Sequence, residues 1–296
     1  MSERVYIRPL TDPERTAGAR RLAGGPLWFS QVEVRRRGHR AEILPVDAAG
    51  ALYGRETLDR ITAVRGGIAG LALDRAQIMG VVNVTPDSFS DGGRFDGPGA
   101  AVAHGLALVE QGGDILDIGG ESTRPGADPV SEAEEADRVL PVIEGLRTAG
   151  CAVPVSIDTR KASVARQAIA AGAVLFNDVS ALTYDPDSPG VDAPAVCLMH
   201  AQGDPRTMQD DPRYGDVLLD VYDFLEARIG AAVASGRRAD RIIVDPGIGF
   251  GKRLEHNVAL LRGLGLFHGL GCPILLGASR KRFIGTLSGE PVADRR

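Results

Sequence analysis

Seven short apolar runs in this chain each end on a residue that can do chemistry. In chain order the ends are Asn83, Asp117 with Glu121 close behind, Asp158, Asn177, Met199-His200, Asp245, and Ser279-Arg280-Lys281. Asp and Asn side chains gathered at one rim match a planar heterocycle that carries N–H donors and ring acceptors. A carboxylate accepts two parallel hydrogen bonds from a ring N–H and an adjacent amino group. Lys281 can donate to a ring oxygen or nitrogen, and with Arg280 it stands where a helix should begin, which favours an anion. From Asn83 itself runs N-V-T-P-D-S-F-S-D-G-G, a loop continuing to about Pro98 and too long for a simple connection. The segment Glu121-Ser122-Thr123-Arg124-Pro125-Gly126 adds a fixed positive charge and hydroxyls, which suit a phosphorylated substrate.

Each residue taken singly has a plainer explanation. Asp158 before Thr159 could help cap a helix. Asn177-Asp178 and Asp245-Pro246-Gly247 could form turns, and His200 could be a satisfied core histidine. Turn chemistry does not require a polar group at the same place in every unit, so the coincidence favours a site. No Ser–His–Asp or Cys–His pairing is evident. The histidines at 39, 104, 200, 256 and 268 show no H-x-H or H-E-x-x-H spacing.

The elements that must hold these residues follow from the same runs, at 78–82, 115–118, 153–157, 174–176, 195–199, 242–244 and 274–276. Near-continuous apolar runs are what parallel strands covered on both faces require. Helical patterns lie between them. Ser131 with Glu134 forms a capping box, and Pro141 should kink or restart the helix that follows. Val164, Ala165, Ala168 and Ile169 lead to Gly172 as a stop. Val217, Leu218, Val221, Phe224, Leu225 and Ile229 form an apolar stripe. Strands alternating with helices imply an α/β protein with a parallel sheet. The expectation is a TIM-type (β/α)8 barrel over 76–296, truncated after strand seven, or else an open seven-stranded sheet. Residues 1–75 read as an N-terminal extension of short strands and a helix, the helix over 56–64.

Composition narrows the classes. The chain has 296 residues with 44% hydrophobic and 25% charged, as globular proteins do. No apolar run approaches a membrane span, and residues 1–21 are too rich in arginine for a signal peptide. Net charge is −5, but residues 1–75 hold 13 arginines, no lysine and nine acids. The remainder is strongly acidic, which argues against a duplex-binding face. The run Arg35-Arg36-Arg37 with Arg40 reads as the solvated edge of a hairpin rather than a nucleic-acid patch. Cys151, Cys197 and Cys272 lack C-x-x-C spacing and read as reduced thiols of a cytoplasmic protein.

At the residues quoted above the chain resembles the dihydropteroate synthase family. The matching segments are 83–93, 117–126, 156–159, 177–180, 199–209, 245–251 and 277–285, most of 76–287. The first, second and last are the most specific. The resemblance implies condensation of 6-hydroxymethyl-7,8-dihydropterin diphosphate with p-aminobenzoate, releasing diphosphate. By the same resemblance Asp158, Asn177, Asp245 and Lys281 hold the pterin, with Met199 beside them, and Asn83 is the ligand of a Mg2+ cofactor. Thr123 and Arg124 lie near the diphosphate and the aromatic amine. Phe89, Pro125 and Phe250 wall the p-aminobenzoate pocket, Ser279 and Arg280 lead to its carboxylate, and Asp91 is the lid acid that orders the site. Asp91, Asp158, Asp245 and Lys281 are the residues expected to carry catalysis. A homodimer is implied, with no nucleic-acid or membrane partner.

One departure stands out. Family members carry an Arg and a His in an eighth strand that bind the diphosphate with the metal, and these 296 residues contain no such motif. A non-catalytic pterin-binding paralogue is therefore a second expectation. A third, the pterin-binding domain of a corrinoid-linked methyltransferase, should lack the Thr-Arg-Pro loop and the Ser-Arg-Lys motif; both are present.

Overall fold

The computed structural model of the chain describes residues 3–85, 97–122, 129–203 and 207–289. Phe89, Asp91, Thr123, Arg124 and Pro125 lie outside the described residues. Four antiparallel strands open the chain: β1 (Tyr6–Asp12), β2 (Arg20–Arg21), β3 (Trp28–Arg35) and β4 (Glu42–Pro45). β3 pairs with all three others. Its alternation buries Val32 and Val34 on one face, and an irregularity in its pairing with β1 between Leu10 and Asp12 shifts the phase so that Phe29 is buried too. Helices α1 (Val46–Tyr53) and α2 (Glu56–Thr62) cover that face with Val46, Ala49, Leu58 and Ile61. The expectation of one helix here is corrected to two. α1 starts directly after Pro45 with no side-chain cap, so no start signal separates it from the strand before it.

The arginine run is an anchor and not a solvated edge throughout. Arg35 bonds Glu33 at 2.6 Å, while Arg37 reaches Asp220 at 2.6 Å and Asp223 at 2.7 Å, far along the chain. Tyr6 also donates to Asp223, at 2.9 Å. These bonds tie the N-terminal sheet to the helix that bears both acids.

The main sheet has six parallel strands in sequential order. They are β5 (Met79–Asn83), β6 (Ile115–Gly119), β7 (Val155–Asp158), β8 (Leu175–Asp178), β9 (Ala195–Met199) and β10 (Ile242–Asp245). Helices α3 (Pro98–Glu110), α4 (Glu132–Thr148), α5 (Ala162–Ala171), α6 (Val217–Ala234), α7 (Leu254–Arg262) and α8 (Arg282–Ser288) complete the repeat. This order of βα units is that of a barrel wall. The expected seventh strand is reduced to a single parallel bridge between Ile274 and Val244. The Leu275 N–H donates to the Val244 carbonyl at 2.9 Å. Pro141 neither breaks nor restarts α4, which runs unbroken through it. Ser131 caps that helix as its sequence requires, its hydroxyl accepting from the Glu134 N–H at 3.2 Å.

Alternate residues along these strands face opposite ways. Leu116, Ile118, Val155, Ile157, Phe176, Val196, Leu198, Ile242 and Val244 pack beneath the helices. Ile115, Leu175, Ala195, Cys197 and Ile243 fill the other face, where Ile68, Ala69, Leu71 and Leu73 plug its amino-terminal end. Along that inner face the residues turn polar toward the carboxyl ends. Asp117, Asn177 and Asp245 follow Ile115, Leu175 and Ile243 by two positions. Among the described residues no helix is long and apolar enough to cross a membrane.

Candidate active site

The polar half of the inner face holds two groups. In the first, Asp117 and Asn177 reach each other from β6 and β8, with Asn177 Nδ2 donating to Asp117 Oδ2 at 2.9 Å. Ser156 of β7 is in register with Asp117, and Asp158 is in register with both Gly119 and Asn177. Burial pushes the Asp117 carboxyl up, against the opposing pull of the nearby Ser156 hydroxyl and then of the Asn177 amide. Asp158 is pushed well above the usual carboxylate range by burial first and then by the charge of Asp117. Asp117 Oδ1, Asp158 Oδ1 and Ser156 Oγ are all shut off from solvent with no hydrogen-bond partner. Buried polar atoms are normally paired. Two carboxylate oxygens and a hydroxyl left in this way form a polar cradle suited to a ligand's N–H groups.

Asp178 is a contrasting neighbour. It faces the helices, accepts from the Ser180 N–H at 2.7 Å and the Leu182 N–H at 2.8 Å, and thereby shapes the turn after β8. Of the Asn177-Asp178 pair, then, the aspartate is the turn former.

The second group stands at the end of β10. Asp245 Oδ1 accepts the Gly247 N–H at 2.7 Å. Burial raises its carboxyl, and the charges of Lys281 and Lys252 oppose this. Met199, buried at the end of β9, is its in-register neighbour and gives the site an apolar wall. The Lys281 ammonium lies 4.6 Å from the centre of the Phe250 ring and donates to the Ile248 carbonyl. Burial lowers its pKa, while Asp245 holds it up. Asp158, Asn177, Asp245, Met199, Lys281 and Phe250 are thus all placed at the strand ends of one face. Ser279 and Arg280 are exposed in the turn before α8, and Arg280 takes a left-handed φ of 60°.

Asn83 ends β5. A Cβ built on Gly119 would lie 3.5 Å from Asp158 Oδ2 and 3.7 Å from Asn83 Oδ1. Gly119 therefore keeps open a space on which an amide oxygen and a carboxylate converge. Hard oxygen donors of this kind suit Mg2+, which keeps most of its water and takes few protein ligands. Among the described residues no cluster of three His, Cys, Asp or Glu forms a dedicated metal cage.

Sequence reasoning missed two buried lysines and the groups they bond beside the site. Lys161 Nζ bonds Glu135 Oε2 at 2.5 Å and lies 3.5 Å from Glu121, which Arg160 also grips at 3.1 Å. Lys252 Nζ bonds His200 Nδ1 at 2.9 Å. Nothing in local sequence marks these lysines, because charged residues in loops are ordinarily solvated.

Fold and site together define an α/β enzyme of the barrel type whose strand ends concentrate buried carboxylates around a ligand space. The chain belongs to the family of pterin-binding enzymes, which residues 79–296 match. Within that family its relatives are dihydropteroate synthases. That of Neisseria meningitidis serogroup B is 48% identical over 237 residues, covering 76% of this chain and 81% of its own. The Xanthomonas albilineans synthase solved with 4-aminobenzoic acid superposes with a TM-score of 0.71 at 52% identity, over 77% of this chain and 82% of that one. The X. albilineans synthase in complex with 7,8-dihydropteroate gives a TM-score of 0.68 at 48% identity, over 76% and 81%.

Proposed function

We propose that the chain condenses 6-hydroxymethyl-7,8-dihydropterin diphosphate with p-aminobenzoate to 7,8-dihydropteroate and diphosphate. The observation that carries this is the pair of buried, unpartnered carboxylate oxygens on Asp117 and Asp158. A pterin edge brings ring N–H and amino donors in parallel, which is what two such acceptors lack.

In this reading Asp158, Asn177, Asp245 and Lys281 hold the pterin at the strand ends, against Met199. The bond between the pterin methylene carbon and the diphosphate oxygen breaks, and the electron pair leaves with diphosphate. The carboxylates of Asp158 and Asp245 stabilise positive charge delocalised into the ring. The neutral amine of p-aminobenzoate attacks the methylene carbon and then loses a proton, so no protein nucleophile is needed. Phe250 supports the aromatic ring, and Ser279 and Arg280 serve its carboxylate. Asn83 would hold Mg2+. A divalent ion held there would supply positive charge to offset that of the departing diphosphate. Phe89, Asp91, Thr123, Arg124 and Pro125 keep the roles that the family resemblance implies.

The test is diphosphate release by the purified chain. Release that requires the pterin diphosphate, p-aminobenzoate and magnesium together supports the synthase. Tight pterin binding without release would replace it with the binding-only paralogue. The same reading expects a cytoplasmic homodimer, which sedimentation at micromolar concentration checks.

A further inference from the structure

The buried lysine at the end of the β10–α7 loop has no part in the chemistry above. Lys252 is 3% exposed. Its ammonium has three acceptors: His200 Nδ1 at 2.9 Å, the Phe250 carbonyl at 2.9 Å and the His200 carbonyl at 3.3 Å. Those acceptors come from two segments, the residue that follows β9 and the loop that follows β10. The loop Gly247-Ile248-Gly249-Phe250-Gly251 lies flat against the first segment. Gly247 has φ 67°, and a Cβ there would stand 1.8 Å from the His200 carbonyl oxygen. At Gly251, with φ 62°, it would stand 2.3 Å from that of Gln202.

Among the described residues no carboxylate bonds the Lys252 ammonium, and the three hydrogen bonds it makes there go to neutral groups. Burial lowers its pKa to about 7, opposed by the charge of Asp245. Burial and the Lys252 charge push His200 down to about 3. The imidazole is therefore neutral, and its Nδ1 lone pair is free to accept. Such a desolvated ammonium is costly to bury for packing alone. What it does here is pin the backbone of Phe250, whose ring underlies the Lys281 ammonium. A second strut works from the other side, with Asn257 Oδ1 accepting the Gly249 N–H at 2.7 Å. Asp245 is positioned separately, by its strand and by Gly247, and the foremost charge acting on its carboxyl is that of Lys281, with Lys252 second.

We infer that Lys252 is a positioning residue for the aromatic-amine side of the site, acting through Phe250 and leaving the pterin side largely untouched. This rests on the synthase reading. Lys252→Met should raise the KM for p-aminobenzoate about tenfold, with kcat and the KM for the pterin diphosphate within about threefold of wild type. Lys252→Gln, which keeps one donor for the two carbonyls, should fall between. Combining Lys252→Met with Phe250→Ala should raise the KM no further than Phe250→Ala alone, because the two act in series.

Wild type run beside the variants separates the two claims. If wild type shows no turnover and binds neither substrate, the synthase reading fails. If wild type turns over and the KM for p-aminobenzoate is unchanged in Lys252→Met, or the two substitutions add, only the inference is overturned. Loss of kcat with both KM values unchanged, or failure of both Lys252 variants to fold, would assign the lysine to stability and overturn it equally.

Discussion

The amide of Asn177 donates to the carboxylate of Asp117 across an intervening strand, at 2.9 Å. β7 lies between them, and the residue it presents there is Ser156, small enough to be bridged. The bond gives Asp117 Oδ2 a partner and leaves Oδ1 buried without one. A carboxylate prepared in this way is oriented before any pterin arrives.

Asn177→Ala removes the only side-chain amide that reaches Asp117 among the described residues. Only the nearby Ser156 hydroxyl would then be left to serve that buried carboxylate. We expect a loss of about 1–3 kcal/mol in urea unfolding, together with weaker pterin binding by calorimetry. Unchanged stability would mean that water or rotation of Asp117 satisfies the carboxylate.

Asp158→Asn should move stability and binding in opposite directions. The wild-type carboxyl is pushed up by burial and by Asp117, with Glu135, Asp178 and Glu121 adding to the repulsion. A neutral amide escapes that penalty, so unfolding at pH 8 should cost about 1 kcal/mol more than in wild type. The same amide presents donors where the pterin's N–H groups need an acceptor. Pterin affinity should fall at least about tenfold. A variant both less stable and equally tight would contradict both halves.

Much of this arrangement was legible because buried parallel strands are monotonous. Where every strand is Ile, Val and Leu, an Asp or Asn at its end stands out, and Asp158, Asn177 and Asp245 were found that way. The expected seventh strand was less faithful: Pro273 leaves only Ile274 in a bridge with Val244. β1 carries Pro9 and is a strand nonetheless, because it pairs with β3 on one side only, where a missing N–H is tolerated. Lys252 and Lys161 were invisible for a different reason. Their burial depends on how separate loops stack, and on glycines such as Gly247 that let backbones meet. No periodicity records such long-range contacts.

Lys161 provides the sharpest test of a buried charge. Its ammonium answers Glu135, which is fully buried, and Glu121, and also donates to the Val130 carbonyl at 2.6 Å. Lys161→Met strands Glu135, while Arg160 still holds Glu121, and should cost about 3–5 kcal/mol in unfolding experiments. Adding Glu135→Leu should recover part of that loss, since the stranded charge goes with it. Strictly additive losses would show that the ion pair is not the source of the effect.

His200 should make the fold acid-sensitive. Its pKa is held near 3 in the folded chain by burial and by Lys252, whereas an unfolded histidine titrates near 6.5. Between those values the unfolded chain binds a proton that the folded chain refuses. This contribution to stability is therefore complete above about pH 6.5 and is lost as pH falls toward 3, by up to about 1.4 kcal/mol per unit. The buried carboxyls work the other way. Asp117, Asp158 and Asp245 are all raised, so they take up protons more readily when folded and offset the histidine in the same range. The comparison with His200→Gln isolates the imidazole, because glutamine offers Lys252 an acceptor that does not titrate. The stability advantage of wild type over His200→Gln should shrink by about 2 kcal/mol between pH 7 and pH 5. A constant difference across that range would mean that His200 is free to protonate in the folded protein, and that the Lys252 contact does not hold it neutral.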